Sequence, residues 1–103
     1  MSEAQILKGV LELCRRHPKV KRAWRQNTGL TKMKGFYVRF GEVGHSDVMG
    51  FLKDSRFFAI ECKLPGQGPS EPQEEFLSDV KACGGVSGVA TSIEDAQAIL
   101  EAA

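Results

Sequence analysis

The chain lacks the features that mark several large classes of protein. Its 103 residues include only three cysteines, which are widely scattered and lack the paired spacing of a disulfide scaffold or a cysteine zinc site. No apolar run approaches the roughly 18 residues that a membrane-spanning helix needs. Residues 1–5 do not begin a basic segment followed by an apolar one, so the sequence predicts no signal peptide. We therefore expect a reduced, cytoplasmic protein with no membrane partner.

The rest of the composition is that of an ordinary globular protein. Hydrophobic residues make up 42% of the chain, which excludes wholesale disorder. There is no internal repeat, no low-complexity tract and no linker rich in small polar residues. A chain of this length has room for one hydrophobic core, and we predict a single domain over residues 1–103.

Acidic residues are missing from the most basic part of the chain. The formal net charge is +1, but residues 1–63 hold 13 basic and 6 acidic residues, whereas residues 64–103 hold 1 and 7. Between Leu13 and Gly41 there are nine lysines and arginines and no carboxylate. Clustered basic residues gain affinity for nucleic acid by releasing counterions, although a solvated basic surface has the same composition. Both interpretations stay open at this point.

Helix signals occur in three parts of the chain. Ser2 with Gln5, and Ser70 with Gln73, have the S-x-x-Q spacing of a capping box, in which side chain and backbone bond reciprocally at a helix start. Pro18 ends the first helix, because proline cannot continue the hydrogen-bond ladder. The helices are predicted at about residues 2–17, at residues 71–82, and after Thr91 or Ser92.

Between the first two helices the apolar pattern is typical of strands. Apolar, β-branched and aromatic runs alternate with turn residues, and the segment around Asn27-Thr28-Gly29 through Lys34 is expected to be a polar loop. The sequence predicts an α/β fold in the order αβββαβα, with a central mixed sheet flanked by helices. The predicted strands cover residues 19–26, 36–40, 48–53, 57–63 and 86–90.

Three charged residues, Asp47, Glu61 and Lys63, are predicted to meet at one end of a hairpin. A turn at Asp54-Ser55 makes the numbers of paired residues sum to about 109, which places Asp47 near Glu61 and Lys63. Two carboxylates offer the oxygen ligands that Mg²⁺ or Mn²⁺ prefers, and a nearby ammonium can stabilise a phosphoryl transition state. The alternative is a cross-strand ion pair, which E-x-K alone favours. An apolar strand that ends in charged residues favours the site, because burying unpaired charge is costly.

Several short segments follow one another in an order that is more specific than any one of them. They are Glu3 in the first helix, Arg25-Gln26-Asn27-Thr28-Gly29, Gly44-His45-Ser46-Asp47-Val48-Met49-Gly50, Phe58-Ala59-Ile60-Glu61-Cys62-Lys63, and Ser70-Glu71-Pro72-Gln73. Together they resemble the PD-(D/E)XK nuclease superfamily and, within it, the small VRR-NUC domain. The resemblance covers nearly the whole chain. Ser46 departs from it, since the family has a proline before the aspartate, but that proline shapes the chain and is not a ligand.

The resemblance implies a restriction-endonuclease-like αβββαβ core and a role for each matching residue. Asp47 and Glu61 correspond to the ligands of a Mg²⁺ or Mn²⁺ ion, with the backbone carbonyl of Cys62 as a third contact. Lys63 corresponds to the catalytic lysine, and Gln73 to the active-site glutamine. Glu3 resembles a glutamate that completes the metal site in many members. For Gln73 a plain capping role, and for Glu3 a favourable position at the start of a helix dipole, are equally consistent with the sequence.

Other residues are candidates for contacting nucleic acid. We expect candidates in the basic stretch to hold a phosphate backbone from a turn or a flexible loop. The alternative is that their side chains are simply solvated. Trp24 either stacks on a base or packs in the core. The candidate nucleic-acid-binding residues are Arg25, Asn27, Lys32, Lys34 and Arg39.

These observations lead to one main functional hypothesis and two alternatives. The main hypothesis is a metal-dependent endonuclease that hydrolyses DNA phosphodiester bonds. The resemblance further suggests a homodimer, of phage or bacterial origin, that acts on branched DNA such as four-way junctions. The first alternative is a non-catalytic nucleic-acid-binding module or subunit that retains the same fold. The second is a small regulatory protein in which the charged end of the hairpin is an ion-pair network.

Overall fold

The computed structural model describes residues 1–26, 29–33, 36–40 and 46–103. The described parts form an α/β structure, as expected, and no helix in them is long and apolar enough to cross a membrane. The elements in chain order are α1 (Glu3–Arg16), β1 (Val20–Arg25), β2 (Gly29–Met33), β3 (Phe36–Phe40), β4 (Val48–Leu52), β5 (Phe57–Cys62), α2 (Glu71–Ala82), β6 (Val86–Ala90) and α3 (Ile93–Glu101).

The predicted central mixed sheet is confirmed. Its four strands lie in the order β1-β4-β5-β6, with antiparallel pairing of β1 with β4 and of β4 with β5, and parallel pairing of β5 with β6. Strands β2 and β3 pair with each other as a separate antiparallel ribbon. The predicted loop through Lys34 is therefore wrong for residues 29–33, which form a strand because β3 supplies its hydrogen-bond partners. Five strands precede α2, whereas the predicted order has three and the predicted ranges give four.

Both predicted capping boxes are present. The Oγ of Ser2 accepts from the N–H of Gln5, and the Oγ of Ser70 accepts from the N–H of Gln73. In each box the glutamine Oε1 accepts in return from the backbone N–H of its serine, at 2.8 Å. At the other end of α2, Gly84 has a φ of 86°, the left-handed conformation that glycine adopts without steric cost.

The β4–β5 hairpin is one residue out of the predicted register. Paired residues sum to 108, as in Val48 with Ile60, and not to 109. The reason is a three-residue turn centred on Asp54, in which Ser55 takes a left-handed φ of 79° and the N–H of Leu52 donates to the carbonyl of Arg56. This register moves the position across from Asp47 from Cys62 toward Glu61.

Two hydrophobic layers cover the two faces of the sheet. Helices α1 and α3 pack on one face, where the buried strand residues include Val48, Phe58, Ile60 and Cys62. Helix α2 packs on the other face through Leu77 and Val80, against Met49 and Ala59. Because side chains alternate along a strand, Glu61 falls on the α2 face together with Ala59.

Gly50 lies in the middle of β4, close to the backbone of β1 and the ring of Phe58. A Cβ atom there would overlap the carbonyl oxygen of Arg22 and come within 2.6 Å of the Phe58 ring. Since one of these neighbours is backbone, the strand cannot relieve the contact by a side-chain rotation. The position therefore requires glycine, even though the sequence pattern alone marks it only as one residue of an apolar run.

We expect Gly50→Ala to lower the free energy of unfolding by about 3 kcal/mol, the upper end of the usual cost of overpacking a core. Urea denaturation followed by circular dichroism measures this change. Gly68→Ala is the matched control, since no atom lies within 4 Å of a Cβ at that position. The control should change stability by no more than about 0.5 kcal/mol. Equal urea midpoints for the two variants would contradict the close approach at Gly50.

Candidate active site

The predicted acidic residues meet at the ends of two neighbouring strands. Asp47 immediately precedes β4, and Glu61 is the second-last residue of β5. The two strands are antiparallel, so the start of one lies beside the end of the other. The convergence of Asp47 and Glu61 at one end of the hairpin is thus present in the structure.

Asp47 is held by hydrogen bonds on both its backbone and its side chain. Its carbonyl accepts from the N–H of Gln26 at 2.8 Å, which extends the pairing of β1 and β4 by one step. Its Oδ2 accepts from the N–H of Cys62 at 2.9 Å. The carboxylate therefore occupies the place that a backbone carbonyl would take in the ladder with β5, and it also lies within hydrogen-bonding reach of the Glu61 carboxyl group.

Glu61 is buried to an unusual degree for a carboxylate. Its exposed fraction is 1%, and its Oε2 has no hydrogen-bond partner. Burial, followed by the hydrogen bond and charge of Asp47, raises the pKa of Glu61 from 4.5 to about 9, whereas the charge of Lys63 opposes the rise. A carboxyl group with so high a pKa keeps its proton near neutral pH, and it can donate that proton to the carboxyl group of Asp47.

Gln73 bridges the helix cap and the acidic pair. Its Oε1 accepts from Ser70, and its Nε2 donates to the Oε1 of Glu61 at 3.2 Å. The capping bond fixes which end of the amide faces Glu61, because only the oxygen can accept from a backbone N–H. The same side chain therefore completes the capping box and contacts Glu61, while its predicted role as the active-site glutamine stays a prediction.

Lys63 and Glu3 are the other two charged groups near Glu61. The backbone N–H of Lys63 donates to the carbonyl of Ala90 at 3.0 Å, which fixes the chain just beyond β5. Glu3, an exposed residue in the first turn of α1, raises the pKa of Glu61 through its charge. It is close enough to act electrostatically on the site, while its proposed role as a metal ligand stays a prediction.

Cys62 contributes its backbone and not its thiol. Its side chain is fully buried on the α1 face of the sheet, and burial raises the pKa of the thiol to about 12. A thiol that keeps its proton at neutral pH is a poor ligand for a hard cation. The backbone N–H binds Asp47, and the predicted role of the carbonyl remains a prediction.

The candidate nucleic-acid-binding residues lie on different elements, and two of them fall outside the described residues. Arg25 is exposed at the end of β1, paired in the sheet with Val48, and so lies next to the strand that carries Asp47. Lys32 lies in β2 and Arg39 in β3, so the expectation of a loop position for Lys32 is wrong. Asn27 and Lys34 lie outside the described residues.

Ser46 is a feature of the site that the sequence reasoning did not interpret beyond its departure from the family pattern. It is fully buried beside Asp47, and its Oγ has no hydrogen-bond partner. An unpaired buried hydroxyl costs free energy, so the burial of Ser46 is unfavourable for stability. No pattern of residue types in the sequence marks this position as buried.

Side chains alone do not complete a metal site in the described residues. No group of three or more His, Cys, Asp or Glu side chains is placed to hold an ion there. A cation at Asp47 and Glu61 would therefore take its other ligands from backbone oxygens and water, as Mg²⁺ commonly does. Comparison with protein-family models gives no match, and no curated protein matches the chain at a significant level.

The high pKa of Glu61 has a consequence for stability. A carboxyl group whose pKa is higher in the folded than in the unfolded chain stabilises the fold while it is protonated, and this stabilisation is lost as the pH rises. In the absence of divalent cations, we expect the free energy of unfolding to fall between about pH 5 and pH 9.

Glu61→Gln should remove this fall, because the amide has the same shape and no proton to lose. Chemical denaturation at several pH values measures the slope. Glu75→Gln, at an exposed position on α2, is the matched control and should keep the slope of the parent chain. The same slope in Glu61→Gln as in the control would show that Glu61 is not the titrating group.

Proposed function

We propose that the chain is a metal-dependent endonuclease of the PD-(D/E)XK type that hydrolyses DNA phosphodiester bonds. The observation that carries the proposal is the meeting of the half-buried Asp47 with the buried carboxyl group of Glu61, at a point where the amide of Gln73 also donates. An ion-pair network would place a cationic side chain against these oxygens. Among the described residues no cationic side chain pairs with the Oε2 of Glu61, so the pair is better suited to an external cation.

The residues present fit a Mg²⁺ or Mn²⁺ ion. Two carboxylates supply hard oxygen ligands, and the pKa of Glu61 is high because burial and Asp47 disfavour its ionised form. A divalent cation there would favour ionisation and so remove the cost. When bound, such an ion lowers the pKa of a coordinated water and neutralises charge on a phosphate.

The chain's own residues supply positioning and electrostatic stabilisation. Asp47 and Glu61 would hold the ion, and the amide of Gln73 keeps the Glu61 carboxylate in one orientation. Lys63, two residues after Glu61, would stabilise negative charge that develops on the phosphate oxygens. Arg25, at the exposed end of β1, would hold the DNA backbone beside β4.

The order of elements also supports the proposal. A helix, antiparallel strands that include β4 and β5, helix α2 and the parallel strand β6 follow one another as the αβββαβ core implies, with the β2–β3 ribbon added between β1 and β4. The branched DNA substrate and the homodimer belong to the same proposal. A small domain covers little of a duplex, so two copies would bring two active sites to one branched molecule.

The test is a panel of labelled single-stranded, duplex, flap and four-way-junction DNAs, incubated with and without Mg²⁺ or Mn²⁺. We expect cleavage that needs the cation, and a loss of about 100-fold or more in Asp47→Asn and Lys63→Ala, since each removes an electrostatic contact to the reacting groups. Glu75→Gln and Lys8→Ala are controls of matching charge at exposed positions, and they should cleave like the parent chain.

The panel also separates the proposal from its alternative. Salt-sensitive DNA binding without cleavage, under every metal condition, would overturn the endonuclease and favour a binding module. Equal cleavage by the parent chain, Asp47→Asn and Lys63→Ala would point to a contaminating nuclease and would also overturn it. Sedimentation of the parent chain with and without a junction tests the homodimer.

The two capping boxes allow a matched test of Gln73. Gln73→Ala and Gln5→Ala each remove the returning half of one box, and each should cost about 0.5–1.5 kcal/mol of stability. Only Gln73 also touches Glu61, so only Gln73→Ala should lower cleavage, by about 10–100-fold, the usual effect of losing a partner that orients a metal ligand. Equal activity of both variants would restrict Gln73 to capping.

A further inference from the structure

The α2 face of the sheet carries aromatic side chains that α2 leaves uncovered. Phe51 is 39% exposed and Phe57 is 37% exposed. Among the residues whose burial is described, these two and Met1 are the exposed large hydrophobic ones. They are paired across β4 and β5. Trp24 on β1 is half-buried, and its ring centroid lies 6.3 Å from that of Phe51 at an interplanar angle of 62°. We call Trp24, Phe51 and Phe57 the aromatic face.

The aromatic face and the acidic pair lie on the same two strands. Along β4 the alternate residues Asp47, Met49 and Phe51 fall on the α2 face, and on β5 the residues Glu61 and Phe57 stand at the matching ends. Four residues of antiparallel strand span about 13 Å. That distance corresponds to about four stacked nucleotides at 3.4 Å each.

Charge is distributed unequally on the two sides of the aromatic face. On the β1 side the residues Lys21, Arg22 and Lys53 are exposed. On the other side the exposed charges of α2 are mostly carboxylates. A phosphate backbone would therefore run along β1, and its bases would turn toward the rings. The exposed carboxylates of α2 are Glu71, Glu74, Glu75 and Asp79.

We propose that the aromatic face is a stacking platform for the unpaired bases of a DNA strand whose phosphodiester lies at Asp47 and Glu61. This inference rests on the proposed nuclease function and specifies its substrate as DNA with a single-stranded segment beside the cleavage point. Every base has a flat π surface, so aromatic side chains can stack on it whatever the sequence. Bases inside a duplex already stack on their neighbours and are not available to the rings.

A cavity next to Phe57 gives such a strand additional room. It has a volume of about 770 Å³, and it lies between β4–β5 and α2, with Met49, Phe57, Phe76 and Val80 among its lining residues. Its size admits a base that turns away from the stack. The same cavity ends near the β4–β5 turn, away from the acidic pair, so it extends the platform and does not overlap the site of hydrolysis.

Trp24 is the only tryptophan, so its fluorescence reports on this face alone. With the parent chain in buffer that contains EDTA, we expect a twelve-residue thymidine oligonucleotide to quench the emission. A blunt duplex of twelve base pairs should bind at least roughly five-fold more weakly. Phe51→Ala and Phe51→Leu should each weaken binding of the oligonucleotide roughly five-fold or more, whereas Phe51→Tyr, which keeps a ring, should bind like the parent chain.

The Phe51→Leu variant separates stacking from apolar contact. If it binds like the parent chain, the ring is not needed and the inference is overturned. Absence of quenching by the oligonucleotide would also overturn the inference. So would a dimer that Phe51→Ala dissociates without a change in DNA binding, because a second copy of the chain would then cover the aromatic face. Circular dichroism of each variant confirms that the fold is intact.

The measurement does not depend on hydrolysis, because EDTA removes divalent cations. Quenching without cleavage in the metal-containing panel would overturn the nuclease function and leave base stacking established. Cleavage without quenching would overturn the platform and leave the nuclease standing. Lys21→Ala should reduce the salt dependence of oligonucleotide binding, and Lys8→Ala, on α1, should not.

Discussion

The burial of the Glu61 carboxylate is the constraint on which the rest of the site depends. Phe58, Ala59 and Ile60 precede it in β5, and all three are fully buried. Burial of a large apolar side chain such as Phe58 or Ile60 stabilises the fold by about 1.5–3 kcal/mol. This stabilisation offsets the cost of burying Glu61 in the same strand, where burial disfavours its charged form. The hydrogen bond from Gln73 and the charge of Lys63 offset only part of that cost. Under the proposed function, a bound cation would relieve the remaining cost.

The larger hydrophobic cluster and the candidate site lie on opposite faces of the sheet. On the α1 and α3 face the strands present a continuous apolar surface, and the cysteines Cys14 and Cys62 behave there as small hydrophobic residues whose thiols stay protonated. On the α2 face the apolar cluster is smaller, and polar or exposed side chains flank it at both ends. A change on the second face can therefore alter the site while the larger cluster holds the strands in place.

A feature of the fold or of the site could be predicted from the sequence when it depends on residues close together in the chain. Both capping boxes and the bounds of α2 follow from residues within one helical turn, and they were predicted. The meeting of Asp47 with Glu61 needs only a hairpin, and it too was predicted, but the register was one residue out because nothing in the residue types marks Ser55 as left-handed. Strand β2 was missed because Gly29–Met33 is a strand only by virtue of its pairing with β3.

Tertiary placement decides what the sequence signature of Gln73 means. The same S-x-x-Q box begins α1 and α2, and both glutamines make the same capping bonds. Gln73 differs because the loop after Lys63 brings the start of α2 over the end of β5, where its amide meets Glu61. The start of a helix is also the positive end of its dipole, which favours negative charge nearby. Placing that end over two carboxylates therefore helps α2 to stabilise the acidic pair, so a residue that a local rule identifies as a cap also takes part in the site.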